Sequence, residues 1–343
     1  MTDTLFQPKE INALLQQHKG EGIVITTHHK PDADALGSSL GLFHMLKSMG
    51  HHVQVISPTD YPFFLDWMPG EGGVINFEER PGDATVLIEQ AAIIFCLDFN
   101  DPNRINDMGD LVTAAKAKKV LVDHHREPKE FADLSYWTLN TSSTCELIYR
   151  LAQDCNWQYQ NKAEVASCLY AGIMTDTGSF RFDSTSSMTH RIAADLIDAG
   201  ANHSLIHDKI LDNFSLSRYR MMGYILHEKL EVIPEYRTAL IYLTREELQR
   251  FNVQTGDTEG FVNYGLSIKD IVLSVLIIDR TKLVKMSFRS KGKFPCNQLA
   301  AEHFNGGGHL NASGGSSTDT LENTVKKFRA ILPQFKSSLL AQP

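Results

Sequence analysis

Over residues 1–200, short β-branched runs alternate with helical stretches, and that alternation leaves few folds open. The runs 22–27 (GIVITT), 53–57 (VQVIS), 92–98 (AIIFCLD) and 119–123 (KVLVD) read as buried strands, with helices expected around 35–49, 101–117 and 143–155. Strands alternating with helices build βαβ units and therefore a parallel sheet. The alternation stops at 186–229, which reads as helical almost throughout. From Arg237 on, strands at 238–243, 271–278 and 282–288 accompany helices near 244–250, 296–304 and 320–336. The expected fold class is α/β: a Rossmann-like parallel-sheet domain (1–205), a helical linker (206–229) and a smaller α/β domain (230–343). Two domains are also what 343 residues predict at roughly 100–200 residues each.

Composition serves mainly to exclude. The longest apolar stretches, 91–97 and 271–278, fall far short of the roughly 20 residues that span a bilayer. The start MTDTLFQPKE lacks an apolar secretory core, so a cytoplasmic protein with no membrane partner is expected. The five cysteines are odd in number and never spaced as CxxC, a pattern that fits reduced thiols. The 33 basic and 41 acidic residues leave a net charge of −8, which argues against coating duplex DNA. A short oligonucleotide or a small nucleotide needs only a local basic patch. Residues 280–293 (RTKLVKMSFRSKGK) supply one, with six basic residues and no acid, although a solvated strand pair would look the same.

The chemistry gathers where strands end. In an open α/β sheet, ligands bind at the carboxyl ends of the strands. The first strand runs into THHKPDADALG (27–37), where His28, Asp32 and Asp34 converge if the loop curls. One imidazole and two carboxylates suit Mn²⁺, Zn²⁺ or Fe²⁺, while either Asp would equally well cap the following helix. The third run ends at Asp98 and the fourth at Asp123-His124-His125. Asp176 follows in a Gly-flanked turn. Together His28, Asp32, Asp34, Asp98, His124 and Asp176 offer two imidazoles and four carboxylates, whose charge balances two divalent cations. Two such ions acidify water and hold the attacking and leaving oxygens of a phosphate in line, so hydrolysis of a phosphate ester or anhydride is the expected reaction. Near the end, Gly306, Gly307 and Gly308 precede His309 in GGGHLNASGG (306–315). Consecutive glycines let backbone N–H groups approach an anion, as they also let chains turn.

These residues resemble a known family. HHKPDAD (28–34), the Asp98 strand end, Asp123-His124-His125 and Asp176 resemble the four motifs of the DHH phosphoesterases, and FRSKG (288–292) with GGGHLNASGG resembles their companion DHHA1 domain. Within that superfamily the chain is most similar to the stand-alone oligoribonuclease and 3′-phosphoadenosine 5′-phosphate phosphatase group. The resemblance implies one Mn²⁺ held by His28 and Asp32, a second held by Asp34, His124 and Asp176, and Asp98 between them. It makes Asp123 the residue that orients its neighbour, and it turns His125 toward the scissile phosphate. Arg104, in DFNDPNR (98–104), matches an arginine that relatives carry after the second motif. Arg289, Ser290 and the glycine run ending in His309 would hold the rest of the nucleotide. The implied activity releases 5′-mononucleotides from very short RNA or linear dinucleotides, with 3′-phosphoadenosine 5′-phosphate as a further substrate and a homodimer as the implied assembly. An exopolyphosphatase or pyrophosphatase would use the same metals. A non-catalytic nucleotide-binding regulator would show a missing ligand, and all six positions are filled. Ala33 departs from the glycine many relatives carry there, which matters only if its φ is positive.

Overall fold

The computed structural model describes residues 4–254, 256–280 and 283–342. Thr281 and Lys282 of the basic stretch lie outside the described residues. The chain divides into two compact units, Met1–Asn213 and Phe214–Pro343. No helix among the described residues is long and apolar enough to cross a membrane.

The first unit begins with β1 (Thr4–Phe6) and α1 (Pro8–Gln17). It continues through β2 (Gly22–Thr27), α2 (Ala33–Ser48), β3 (His52–Ser57), β4 (Ile75–Asn76), α3 (Pro81–Gln90) and β5 (Ile93–Leu97). After α4 (Met108–Ala114) come β6 (Lys118–Asp123), β7 (Leu134–Thr138), α5 (Thr144–Asp154), α6 (Lys162–Asp176), α7 (Ser187–Asp198) and α8 (His203–Leu211). The strands order as β1-β7-β6-β5-β2-β3-β4, parallel except for β1. From β2 the chain first builds outward through β3 and β4, then crosses back to add β5, β6 and β7 on the other side. The sheet therefore has its topological switch point between β2 and β5, the place where an open α/β sheet leaves a crevice.

Burial explains the composition of these strands. β5 is buried along its whole length and β2 and β6 nearly so, as expected for parallel strands covered on both faces. The helix α2 is buried almost all round. Its close packing on α6 depends on glycine: a Cβ at Gly172 would lie 2.3 Å from Cys145 Sγ and 2.9 Å from Asp34 Cα. Ala33 opens α2, a helical position that takes a side chain without strain. The helix expected at 101–117 is instead a short 3₁₀ turn at Pro102–Ile105 and the separate α4, because Asn106 adopts φ 50° between them. The short strands β1 and β4 carry too few residues for periodicity to reveal them.

The second unit contains α9 (Leu216–Tyr224), β8 (Glu231–Ile233), β9 (Thr238–Leu243), α10 (Arg245–Arg250), α11 (Phe261–Leu266), β10 (Leu273–Asp279) and β11 (Val284–Ser290). It ends with α12 (Cys296–His303), β12 (Gly307–His309), β13 (Ala312–Ser317) and α13 (Leu321–Leu340). Its sheet orders as β12-β13-β11-β10-β9-β8, antiparallel except for β9 beside β10. β11 alternates strictly, with Val284, Met286 and Phe288 in the core and Lys285, Ser287 and Arg289 on the other face.

Candidate active site

The carboxyl ends of β2, β5 and β6 bring six of the expected residues to one place. His28 follows β2, Asp98 follows β5, and His124 follows β6. Asp32 and Asp34 lie at the start of α2, and Asp176 is the last residue of α6. Asp98 stands between the two imidazoles, with Oδ2 3.4 Å from His28 Nε2 and Oδ1 3.3 Å from His124 Nε2. Its backbone has φ 63°, the left-handed region, which costs a non-glycine residue on the order of 1–3 kcal/mol and tends to mark functional positions. One group, His28, Asp32 and Asp98, and a second, Asp34, His124 and Asp176, each bring ligand atoms within 4.8 Å of one another.

The two readings of the first motif turn out to be compatible. Asp32 is the N-cap of α2, with Oδ1 accepting from the backbone N–H groups of Asp34 and Ala35, and the same oxygen lies 4.0 Å from His28 Nε2. Asp34 is no cap. It is fully buried and takes hydrogen bonds from the N-terminus of α5: Thr144 N–H to Oδ2 at 2.7 Å and Cys145 N–H to Oδ1 at 2.8 Å.

The electrostatics of the cluster are closely tied to its burial. Burial, with the nearby Asp98 charge next, pushes the Asp34 carboxyl up to about 7. Burial and the Asp34 and Asp32 charges push Asp176 well above the carboxylate range. Asp98 is held well below that range, because hydrogen bonds from His124 and His28 outweigh its burial. Burial would lower His124, yet the surrounding carboxylates raise it to about 10. Carboxylates crowded enough to resist ionisation, beside imidazoles that face them, are a donor set for divalent cations. The histidine orientation agrees. His28 Nδ1–H donates to the His29 carbonyl at 2.9 Å, which turns Nε2 toward Asp98 and Asp32.

Asp123 serves a different neighbour from the one expected. Its Oδ1 accepts from His125 Nδ1–H at 2.7 Å, so the buried carboxylate orients His125, two residues on. Trp137 fixes the same residue by donating Nε1–H to the His125 carbonyl at 2.7 Å. Arg104 comes to the site edge, with NH1 3.5 Å from the Asp98 carbonyl, and its own carbonyl accepts from both N–H and Nδ1–H of His29. Two contributors had no sequence signal. Thr144 donates its hydroxyl to Asp98 Oδ1 at 2.9 Å. Glu146, in the first turn of α5, holds Ser142 and Thr189 at 2.7 and 2.9 Å and so fixes the entry to that helix.

In the second unit, the strand register aligns the remaining residues. Arg289 on β11 faces Ala312 on β13, which faces His309 on β12, so Arg289 and His309 share one row across a small alanine. The Ser290 hydroxyl donates to the Phe294 carbonyl at 2.7 Å and accepts from Asn311 Nδ2 at 2.9 Å. The run Gly306–Gly308, read as a loop, enters the edge strand β12 instead. Its glycines have a packing reason: a Cβ at Gly306 would lie 2.1 Å from the Gly314 carbonyl oxygen, and Gly308 has φ 134°.

Comparison with known proteins agrees with this geometry. The chain matches the DHH family, N-terminal domain, over residues 22–173 and the DHHA1 domain over residues 238–338. It is 29% identical over 292 residues to a bifunctional oligoribonuclease and PAP phosphatase NrnA of Thermus thermophilus, covering 85% of this chain and 83% of that one. It is 27% identical to the Bacillus subtilis protein of the same description, covering 86% and 88%. Among solved structures, an exopolyphosphatase-related protein from Bacteroides fragilis is 41% identical, with a TM-score of 0.91 and 99% of both chains covered. RecJ of Thermus thermophilus in complex with Mn²⁺, at 14% identity and a TM-score of 0.56, shares the fold over 55% of its length. A metal-suited donor set at the switch point, two domain matches in order, and a relative alike from end to end lead to one conclusion: the chain belongs to the DHH family of phosphoesterases, with a DHHA1 second domain.

Proposed function

We propose that this phosphoesterase hydrolyses short oligoribonucleotides or linear dinucleotides to 5′-mononucleotides, and removes the 3′-phosphate of 3′-phosphoadenosine 5′-phosphate. The observation that carries the reading is Asp98, whose two carboxylate oxygens face His28 and His124, one imidazole from each ligand group. The relatives named for oligoribonuclease and phosphatase activity narrow the substrate class.

His28, Asp32 and Asp98 would hold one divalent cation, and Asp34, His124 and Asp176, with Asp98, a second; Mn²⁺ is the ion proposed. Bound there, the ions would acidify water and neutralise phosphate oxygens. The protein's own groups do the rest. Asp123 holds the His125 ring with Nδ1 protonated and Nε2 turned away from the carboxylate, and His125 would face the scissile phosphate. Burial lowers the His125 pKa, so the neutral ring prevails near neutral pH and accepts or relays a proton at Nε2. Arg104 adds positive charge at the edge of the site. Arg289 and His309, in one row and supported by Ser290 and the β12 glycines, are proposed to hold the remainder of the nucleotide. The proposed assembly is a homodimer in the cytoplasm.

A substrate panel with Mn²⁺ tests this: pApA, longer oligoribonucleotides, 3′-phosphoadenosine 5′-phosphate, pyrophosphate and polyphosphate. Preference for pApA and the shortest RNAs is expected. Rapid hydrolysis of polyphosphate or pyrophosphate with pApA left intact would overturn the reading in favour of an inorganic substrate.

A further inference from the structure

Immediately after Asp176 the backbone does something costly. Gly178, Ser179 and Phe180 take φ values of 55°, 59° and 63°, three consecutive residues in the left-handed region. Glycine adopts that conformation freely, but for Ser179 and Phe180 it costs roughly 1–2 kcal/mol each. Reversing a chain after a helix needs only one such residue, so the turn is dearer than its topology requires.

The segment is held firmly. The buried Thr177 hydroxyl donates to the Ile173 carbonyl at 2.7 Å and accepts from Phe180 N–H at 2.9 Å. The Thr177 carbonyl accepts from both Arg181 and Phe182 N–H, and the Phe180 ring stacks on His190 at 5.4 Å. What the turn presents is an aromatic ring and a guanidinium. Phe182 is 42% exposed, and its ring lies over Gly178, where a Cβ would come within 2.5 Å of it. Arg181 donates Nε–H to the Gly178 carbonyl at 3.0 Å, a bond that does not use its two terminal nitrogens, and its guanidinium is 5.9 Å from the Phe182 ring centroid. Both side chains are thus fixed within a few residues of Asp176.

We infer that Phe182 and Arg181 form a nucleotide subsite, with a nucleobase stacked on the Phe182 ring and a phosphate oxygen held by Arg181. An aromatic face stacks any base, and a guanidinium forks onto phosphate. The inference rests on the proposed nucleotide substrate, and it places the recognition of one nucleotide in the first unit, beside the residues that would act on its phosphate.

The test uses the full-length protein in Mg²⁺ with 2-aminopurine riboside 5′-monophosphate, whose fluorescence is quenched by stacking. Wild type and F182Y are expected to quench it, F182A to bind about tenfold more weakly with quenching lost, and R181A to bind more weakly with a shallower salt dependence. For pApA, F182A should raise KM about tenfold. Wild-type affinity and quenching in F182A, or no quenching by wild type, would overturn the subsite. So would a change of oligomeric state in F182A by sedimentation, which would make the ring a subunit contact. Quenching that depends on Phe182 in a protein that leaves pApA intact would instead sink the proposed substrate and leave the subsite standing.

Discussion

The Thr144 hydroxyl donates to Oδ1 of Asp98 at 2.9 Å, linking the first residue of α5 to the carboxylate between the two imidazoles. The same residue gives its backbone N–H to Asp34, so one helix end sets two acids at once. Removing the hydroxyl while keeping the shape takes away one of the groups that orient the Asp98 carboxylate. Thr144→Val should weaken Mn²⁺ binding to metal-stripped protein by about tenfold in calorimetry, the usual cost of losing a partner that orients a ligand, and Thr144→Ser should restore it. Equal affinity in the valine and serine variants would show that the hydroxyl positions nothing.

Asp98 itself should be far less forgiving. Asp98→Asn keeps the volume but removes a charge facing both His28 and His124. Hydrolysis is expected to fall by at least about a hundredfold, with an unchanged far-ultraviolet spectrum. Wild-type turnover in this variant would remove the ground for a two-ion site.

Ion identity and ion-linked stability follow from the donor set. Two imidazoles among carboxylates favour a softer ion than Mg²⁺, so Mn²⁺ or Co²⁺ should best restore activity to chelator-treated protein. Because the ions would offset the burial and the neighbouring negative charge that push up Asp34 and Asp176, Mn²⁺ should also stabilise the fold. At free Mn²⁺ one hundred times its Kd the gain is about 2.7 kcal/mol, read as a rise in Tm, and it should shrink in Asp98→Asn. A Tm indifferent to Mn²⁺ would contradict the assignment.

Gly172 tests whether helix packing, and not ligand chemistry alone, holds the site. A Cβ there would meet Cys145 Sγ at 2.3 Å, Asp34 Oδ1 at 2.8 Å and Asp34 Cα at 2.9 Å, so α2 or α5 would have to shift. Gly172→Ala should cost about 1–3 kcal/mol in denaturant unfolding and lower activity through displaced Asp34. Wild-type stability would mean that α6 shifts more easily than this packing implies.

Much of this site could be read from sequence because its chemistry sits at strand ends, where the apolar run of a buried parallel strand stops and Asp and His follow at once. His28, Asp98 and His124 are of that kind. Thr144 is not: nothing in TSSTCE (141–146) distinguishes a helix start that holds two acids 46 and 110 residues away from any other capped helix. The role of Asp123 was legible in kind but not in target, since sequence order favours His124 and only the curl of the backbone brings His125 back onto the carboxylate. The glycine run misleads for a related reason. Glycine required by a close strand, as at Gly306, looks the same in sequence as glycine required by an anion.

The row formed by Arg289 and His309 offers a test of whether nucleotide holding can be separated from phosphate chemistry. Both side chains project from one face of the second sheet across Ala312, and neither strand contributes a residue to the two ligand groups proposed for the cations. If they grip the nucleotide, Arg289→Ala and His309→Ala should each cost roughly 1.5–3 kcal/mol in kcat/KM for pApA, the range for charge-assisted hydrogen bonds. Arg289→Lys should recover only part of that, because an ammonium lacks the guanidinium fork. Hydrolysis of bis-p-nitrophenyl phosphate, which offers no nucleotide to hold, should barely change. A solvated strand residue at 289 predicts no loss on either substrate, and a damaged fold predicts equal losses on both. Only a loss confined to pApA identifies a clamp, and measuring kcat/KM for the two substrates side by side decides among the three.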